Sequence, residues 1–483
     1  MNIKVISRNV GLAILANALF MFLSVLISIF EGMDSAFGPL VISFIITFIV
    51  GFFPFIFVRS TESISLKDGF MIIILSWMLS FTFGMLPYVL WGGEFTLINA
   101  WFESVAGYTT TGSTILTNVE VLPKSLLFWR SSTHFIGGLG VVVFLLLIIP
   151  KASPFRLKLT NIELSSLTRD GHKYRSGRTI KIIALVYVGL VVVETICLWL
   201  AGMSLFDAIN HSFSTVATGG FSTKNSSVAY YDSNLINIII IVFMTLSAMH
   251  FGVIFAVLAT GKLKPLNNPV IKYYFYCIIV MSAIVVLSLM FNGEYEHWGK
   301  AIMDSVFLVV SYFSATGFAI ADNANWPFLT GLVFAFAAIQ CGCSGSTTGG
   351  IKSDRMLIAF KALGRQVKKN LYPSSVTQVK LGDNVVHDDA VLSAMLYIIL
   401  YVAIIFVSTV LLISSGVDPV EAFSGTFASL GNVGPGLDAI GSMGNYHSQT
   451  VFAKIIFTID MILGRVEIYP VFVVVALMFK RKN

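Results

Sequence analysis

A series of apolar runs, each too long for a water-facing globule, limits what this chain can become more than any other feature. Residues 9–30 and 36–58 contain no Asp, Glu, Lys or Arg, and similar runs fall near 70–92, 126–149, 182–201, 235–260, 270–291, 328–341, 390–413 and 451–479. A bilayer hydrocarbon core of about 30 Å is crossed by a helix of roughly 20 apolar residues, so these runs predict about ten spans. With 56% hydrophobic and 12% charged residues in 483, and a mean hydropathy of +0.85, the chain cannot surround an apolar core with a polar surface. The bilayer must be its solvent.

The first run follows Lys4 and Arg8, as a secretory signal would, but it is too long and no small-residue cleavage site follows, so it is expected to stay attached. Cys197, Cys277, Cys341 and Cys343 all lie inside apolar runs, which predicts buried thiols rather than disulfides or metal ligands. The formal charge of +6 does not point to nucleic acid, because the basic residues gather in alternate loops. Arg59 and Lys67, the stretch from Lys151 to Lys181, Lys262 to Lys272, Lys352 to Lys369 and the terminal Lys480 to Lys482 mark one side as cytoplasmic, with both termini there. The opposite loops carry Glu94, Glu120, Asp232, Glu294, Glu296, Asp322, Asp418 and Asp438, an acidic vestibule that would concentrate cations.

Within the last four helix pairs lies a segment too short to span, followed by a glycine-containing turn. Aligned on one glycine, the segments read NAWFESVAGYTTTGST with Gly112, DAINHSFSTVATGGFS with Gly219, DSVFLVVSYFSATGFA with Gly317 and EAFSGTFASLGNVGPG with Gly434. Asn99, Asp207, Asp304 and Glu421 stand 12 or 13 positions before those glycines and are read as helix caps. The glycines are separated by 107, 98 and 117 residues, each room for an outer span, a half-span and an inner span. The pattern predicts an all-α integral membrane fold with four pseudo-symmetric helix–pore-loop–helix repeats around one central pore. The repeats are placed at 68–150, 178–261, 268–366 and 388–483, behind a two-helix extension at 1–60.

Irregular backbone at membrane depth survives only where it is buried in protein or lines a water-filled cavity. Four loops meeting on one axis satisfy that condition, and glycine lets successive carbonyls turn inward to replace an ion's hydration shell. The predicted filter is Thr110, Thr111 and Gly112; Ala217, Thr218 and Gly219; Ala315, Thr316 and Gly317; and Asn432, Val433 and Gly434. Half-helices that point their C-terminal ends at the centre add partial negative charge, which again favours a cation. Gly137, Gly138 and Gly140 are instead read as helix-packing residues.

These loops and their spacing resemble the Trk/Ktr/HKT superfamily of potassium transporters over nearly the whole chain, and the two extra N-terminal spans resemble its bacterial TrkH branch. The resemblance implies potassium uptake across the bacterial cytoplasmic membrane, with K+ ions in the filter and no covalently bound cofactor. Glycine in all four loops is the family's potassium pattern. The resemblance also implies a homodimer and a cytoplasmic nucleotide-binding regulatory subunit, TrkA-like, docking on the basic loops at 151–181 and 352–380.

Two further features have a physical reading of their own. QCGCSGSTTGGIK, residues 340–352, cannot form a confident helix interior, since Gly342, Gly345, Gly349 and Gly350 are interleaved with Ser346, Thr347 and Thr348. By resemblance the loop at 342–350 is an intramembrane gate; the plain alternative is a kink. Arg465, in MILGRVEIYP, is costly within the last span unless it faces water or a partner. It is read either as a gating charge beneath the filter or as an ion pair with Asp460 or Glu467. His134 and His250 are expected to be hydrogen-bonded packing residues, and Glu103 and His211 to steady the half-helices.

The other function classes find less support. A secondary transporter of another cation or small solute, sodium or proton coupled, is the alternative, but such folds usually carry two inverted units. No nucleophile and base at recognisable spacing, HExxH, Walker loop or GxGxxG is present, so no enzyme activity is expected.

Overall fold

In a computed structural model of the protein, the structure describes residues 2–58, 66–140, 176–375, 377–382 and 384–472. The basic stretch 151–175, the lower end of the run at 126–149 and the chain beyond 472 lie outside the described residues.

The chain opens with two antiparallel helices, Ile3–Phe30 and Phe37–Phe57. Asn2 caps the first by accepting from the Val5 amide, and the turn between them uses Gly32 at φ +83°. They pack closely because Gly11 faces Gly51: a Cβ on Gly11 would lie 2.6 Å from the Gly51 carbonyl oxygen. Polar and small residues point inward, as in the hydrogen bond from Asn17 Nδ2 to Ser80 Oγ at 2.9 Å. Ile49, Phe52, Phe53, Ile56 and Phe57 point outward and are exposed. Apolar outside and polar within is the arrangement a lipid solvent selects.

The rest of the chain repeats one succession of elements: a long outer helix, a short helix, an extended loop and an inner helix. The outer helices are Leu66–Gly84 running on into Leu86–Trp91, Ser176–Leu200, Pro269–Phe291 and Asp388–Ser414. The short helices are Leu97–Tyr108, Leu205–Val216, Trp298–Phe313 and Pro419–Leu430. Three of these have 12 residues, about 18 Å at 1.5 Å per residue, roughly half a hydrocarbon core. The side on which they begin is called upper below.

Their caps differ from the sequence expectation. Thr96, Ser204 and Asp418 are the N-caps, each accepting from an amide of the first turn, while Asn99, Asp207 and Glu421 sit three residues further in. The reason is local: a residue at the third helical position can satisfy first-turn donors or support the cap, and the Ser204 hydroxyl does bond the Asp207 carboxylate at 2.9 Å. The third short helix has His297 at its N-cap with no side-chain hydrogen bond, and Asp304 lies inside it, accepting from the Tyr295 hydroxyl at 2.7 Å.

Each inner helix breaks at lower depth. Lys124–Leu139 ends at Gly140 with φ +84°, and Phe328–Gln340 ends at Cys341 with φ +55°. Val451–Arg465 ends just before Glu467 with φ +62°. In the second repeat the expected single span at 235–260 is two helices, Asn234–Ser247 and Phe251–Thr260, bent by 103° at Ala248–His250. Among the described residues, six helices are therefore long and apolar enough to cross a membrane, or seven with the bent pair taken as one. Broken inner helices separate this number from the ten read off hydropathy. One further departure from an all-helical chain is a small antiparallel pairing of Lys380–Leu381 with Asn384–Val385.

Candidate ion-conduction site

The four short helices end alike. Their last residues, Tyr108, Val216, Phe313 and Leu430, are followed by a right-handed C-cap and then by a non-glycine residue in the left-handed region: Thr110, Thr218, Ala315 and Asn432, with φ from 53° to 56°. Amides of the loop fold back to close each helix, as Thr111 N does on Ala106 O at 2.9 Å and Thr316 N on Ser311 O at 2.9 Å. Two residues beyond the strained position stands a glycine with φ between 78° and 99°: Gly112, Gly220, Gly317 and Gly434. Left-handed threonine and alanine cost on the order of 1–3 kcal/mol each and persist only where the surroundings over-determine them.

This periodicity moves the register of the second loop by one residue. The predicted set Ala217, Thr218 and Gly219 becomes Thr218, Gly219 and Gly220, with Ala217 serving as the helix C-cap. With Gly220 in place, the distance from Asp207 is 13 positions, as it is from Asn99, Asp304 and Glu421 to their glycines.

The four loops close into a ring. A Cβ on Gly112 would collide with the Gly219 carbonyl oxygen, one on Gly220 with that of Thr316, one on Gly317 with that of Val433, and one on Gly434 with that of Thr111. Each glycine thus rests on the middle carbonyl of the next loop, and the order one, two, three, four returns to one. All four glycines line a single cavity of about 80 Å³ on the upper side, together with Ser113, Arg130 and Tyr446. Loops one and four are also tied by Asn432 Nδ2 to Thr111 Oγ1 at 3.0 Å and Ser113 Oγ to the Gly434 carbonyl at 3.1 Å.

The ring also carries a twofold alternation. In loops one and three a hydroxyl pair joins the C-cap to the middle residue, Thr109 to Thr111 at 2.8 Å and Ser314 to Thr316 at 2.7 Å. Loops two and four have Ala217 with Gly219 and Gly431 with Val433 at those positions, which cannot make it.

Beneath the ring lies the glycine-rich loop. Gly342 and Gly345 pack against the break in the second repeat: Cys343 N donates to Ala248 O at 2.8 Å and Phe251 N to Gly345 O at 3.1 Å. Gly349 packs against the Gly431 carbonyl and the Asn432 side chain, and Gly350, at φ +69°, folds over Cys341. Ser346 bonds Cys343 O at 2.6 Å and Thr348 Oγ1 at 2.8 Å, and Thr347 Oγ1 reaches Val216 O at 3.1 Å. The loop therefore bridges repeats two and four directly below the ring.

Arg465 stands on the other flank. Its guanidinium donates to Thr347 O at 2.5 Å, to Gly138 O at 3.1 Å and to Gly137 O. Neither carboxylate considered from sequence is its hydrogen-bond partner here. Glu467 pairs with Arg355 at 3.1 Å and Lys352 at 3.7 Å, and Asp460 accepts from Ser408 at 2.8 Å. Arg465, Thr347 and the carbonyl-bearing end of the first inner helix enclose a lower cavity of about 130 Å³. Gly137 and Gly138 do serve close packing, against Tyr108 O and Ala217, and their carbonyls are Arg465's acceptors as well.

His134 stacks on Phe221 with ring centroids 4.1 Å apart and meets Ser214 Oγ at 3.2 Å. His250 caps the helix after the 103° bend by accepting from Gly252 N at 2.9 Å. Missed entirely from sequence was Arg130, buried at 2% exposure inside a run read as apolar. A lone arginine in such a run is itself a signal.

Four short helices whose carbonyl ends converge on one closed ring of backbone oxygens, inside a shell of lipid-facing helices, define a membrane protein that handles cations. The family model for TrkH, described as a cation transport protein, matches residues 39–483. The Trk system potassium uptake protein TrkH of Salmonella typhimurium is 33% identical over 427 residues, 88% of each chain. TrkG of Escherichia coli K12, also named a Trk system potassium uptake protein, is 32% identical over 487 residues, 99% of each. The crystal structure of the potassium transporter TrkH from Vibrio parahaemolyticus matches over 100% of both chains with a TM-score of 0.89 at 30% identity. The chain belongs to the TrkH family of cation transport proteins.

Proposed function

We propose that this chain takes up potassium across a bacterial cytoplasmic membrane, passing ions through the four-loop ring. The observation that carries the reading is the ring itself: four positive-φ glycines, each seated on the next loop's carbonyl and all lining one cavity. Carbonyl oxygens held by fixed backbone replace ion hydration without bringing a full negative charge that would trap the ion. The filter residues are Thr110 to Gly112, Thr218 to Gly220, Ala315 to Gly317 and Asn432 to Gly434, one set in each of the four repeats delimited above. The loop from Gly342 to Gly350 and the Arg465 side chain form the gate, one obstructing by bulk and the other by charge.

Relatives that are named Trk system potassium uptake proteins support the choice of ion and imply further components. A second copy of the chain and a cytoplasmic nucleotide-binding subunit are the partners we assign. The docking surface would include helix Ser353–Leu371, which leads straight out of the gate loop. Reconstitution in liposomes tests the reading: rubidium flux down its own gradient, blocked by potassium, is expected. Absence of flux for potassium and rubidium with transport of an organic solute would overturn it, and an imposed proton gradient separates passive conduction from coupling.

A further inference from the structure

Behind loops one and two lies a buried ion pair that the ring as described does not use. Glu103, in the first short helix, and Arg130, in the first inner helix, meet at 2.6 Å with side-chain exposures of 0% and 3%. Both groups make further contacts. The Glu103 carboxylate accepts from Thr114 Oγ1 at 3.0 Å and from Ile115 N at 3.0 Å, just beyond Gly112. The Arg130 guanidinium donates to Ser222 O at 3.1 Å and lies 3.5 Å from the centre of the Phe221 ring, just beyond Gly220. His134, one helical turn from Arg130 and so on the same face, rests on that ring as well.

We propose that Glu103 and Arg130 are a positioning pair that fixes loop two against loop one and so sets cation discrimination at this quarter of the ring. The inference rests on the filter reading above. Its geometry is specific: the anion holds the exit of the first loop, the cation holds the exit of the second, and the pair joins them. Gly112 and Gly219, whose contact closes the ring here, stand two to three residues before the held positions of the two loops. Only a planar fork can bond Glu103, bond Ser222 O and stack on Phe221 together, which a lysine cannot do.

On the other side of the ring, phenols hold the fourth loop. Tyr312 OH donates to Gly436 O at 3.0 Å and Tyr446 OH to Gly434 O at 2.9 Å. Among the described residues, a buried ion pair joins filter loops only here, between one and two. It also has an electrostatic side, because Arg130 lines the upper cavity while Glu103 stands behind it. An arriving cation meets a guanidinium whose charge the Glu103 carboxylate offsets.

The test uses full-length protein in liposomes, reading rubidium flux and the ratio of rubidium to sodium permeability per folded molecule. Arg130→Lys keeps the charge opposite Glu103 but gives up the bond to Ser222 O and the stacking. It is expected to fold and to lose at least about tenfold in the permeability ratio, the lower end of what one charge-assisted hydrogen bond is worth. Glu103→Gln keeps an acceptor for Thr114 yet leaves the guanidinium uncompensated, so rubidium flux should fall. The double variant Glu103→Gln/Arg130→Met should recover flux without recovering selectivity. If Arg130→Lys or the double variant folds with an unchanged ratio, the pair is scaffold only and the inference is overturned. Gly112→Ser measured alongside keeps the two readings apart: if it too leaves the ratio unchanged, the filter assignment itself has failed.

Discussion

Replacing Arg465 by alanine is the most direct probe of the gate, and its size can be worked from the contacts. Among the described residues it reaches three carbonyls; those of Gly137 and Gly138 belong to the first inner helix, and that of Thr347 belongs to the glycine-rich loop. A hydrogen bond from a charged donor is worth about 1.5–3 kcal/mol net. Only a contact made in the closed state and lost in the open one can bias the gate. If the Thr347 bond alone has that property, its removal shifts the closed-to-open ratio by about 10- to 100-fold, at 1.4 kcal/mol per factor of ten. Rubidium efflux from liposomes, normalised to folded protein, should rise within that range. Arg465→Lys should give an intermediate rise, because a point donor cannot reach both flanks. Unchanged flux with a lowered melting temperature would refute the reasoning and make Arg465 a strut between repeats.

Deleting residues 345–349 should also raise rubidium flux, and the deletion combined with Arg465→Ala should gain less than the two effects together, since both act on one barrier; strict additivity in the same assay would separate loop from arginine. Gly112→Ser should cost about 1–2 kcal/mol from its backbone angle alone and more from the collision with Gly219 O. Growth at low potassium in an uptake-deficient strain should fail and sodium permeability should rise, and normal growth would count against the ring. In crystals soaked in rubidium, anomalous density is expected on the axis beside the carbonyls of Thr111, Gly219, Thr316 and Val433; density only elsewhere would contradict the assignment.

The four loops were legible because backbone chemistry leaves marks in sequence: a short helix that begins with polar first-turn residues and a glycine at a fixed distance. The second loop's glycine from sequence and its positive-φ glycine differ by one because Gly219 and Gly220 are adjacent, and either satisfies a search for glycine. The equal spacing of 13 from Asn99, Asp207, Asp304 and Glu421 selects Gly220. The 103° bend at Ala248–His250 left no clear trace, since Ala248, Met249 and His250 include neither proline nor glycine and lie within one long apolar run. That break is imposed by tertiary contact, with Cys343 N on Ala248 O and Gly345 O on Phe251 N. Arg130 and Lys454 were passed over because averaging hydropathy over a window hides one charge. Both are buried and bonded, Lys454 to Asn99 Oδ1 at 2.9 Å.

Because the ring is assembled from four stretches of one polypeptide, its quarters need not be equal, and they are not. Hydroxyl pairs brace loops one and three, an ion pair joins one to two, and phenols hold the far side. In an assembly of four identical subunits any substitution strikes every quarter at once, so selectivity can change only in a fourfold jump. Here inheritance can alter one quarter while three remain, and the ion meets the graded result. The same inequality lets an experimenter place a single isotope-edited carbonyl or spectroscopic reporter at one position around the axis and follow how that side alone responds as an ion passes.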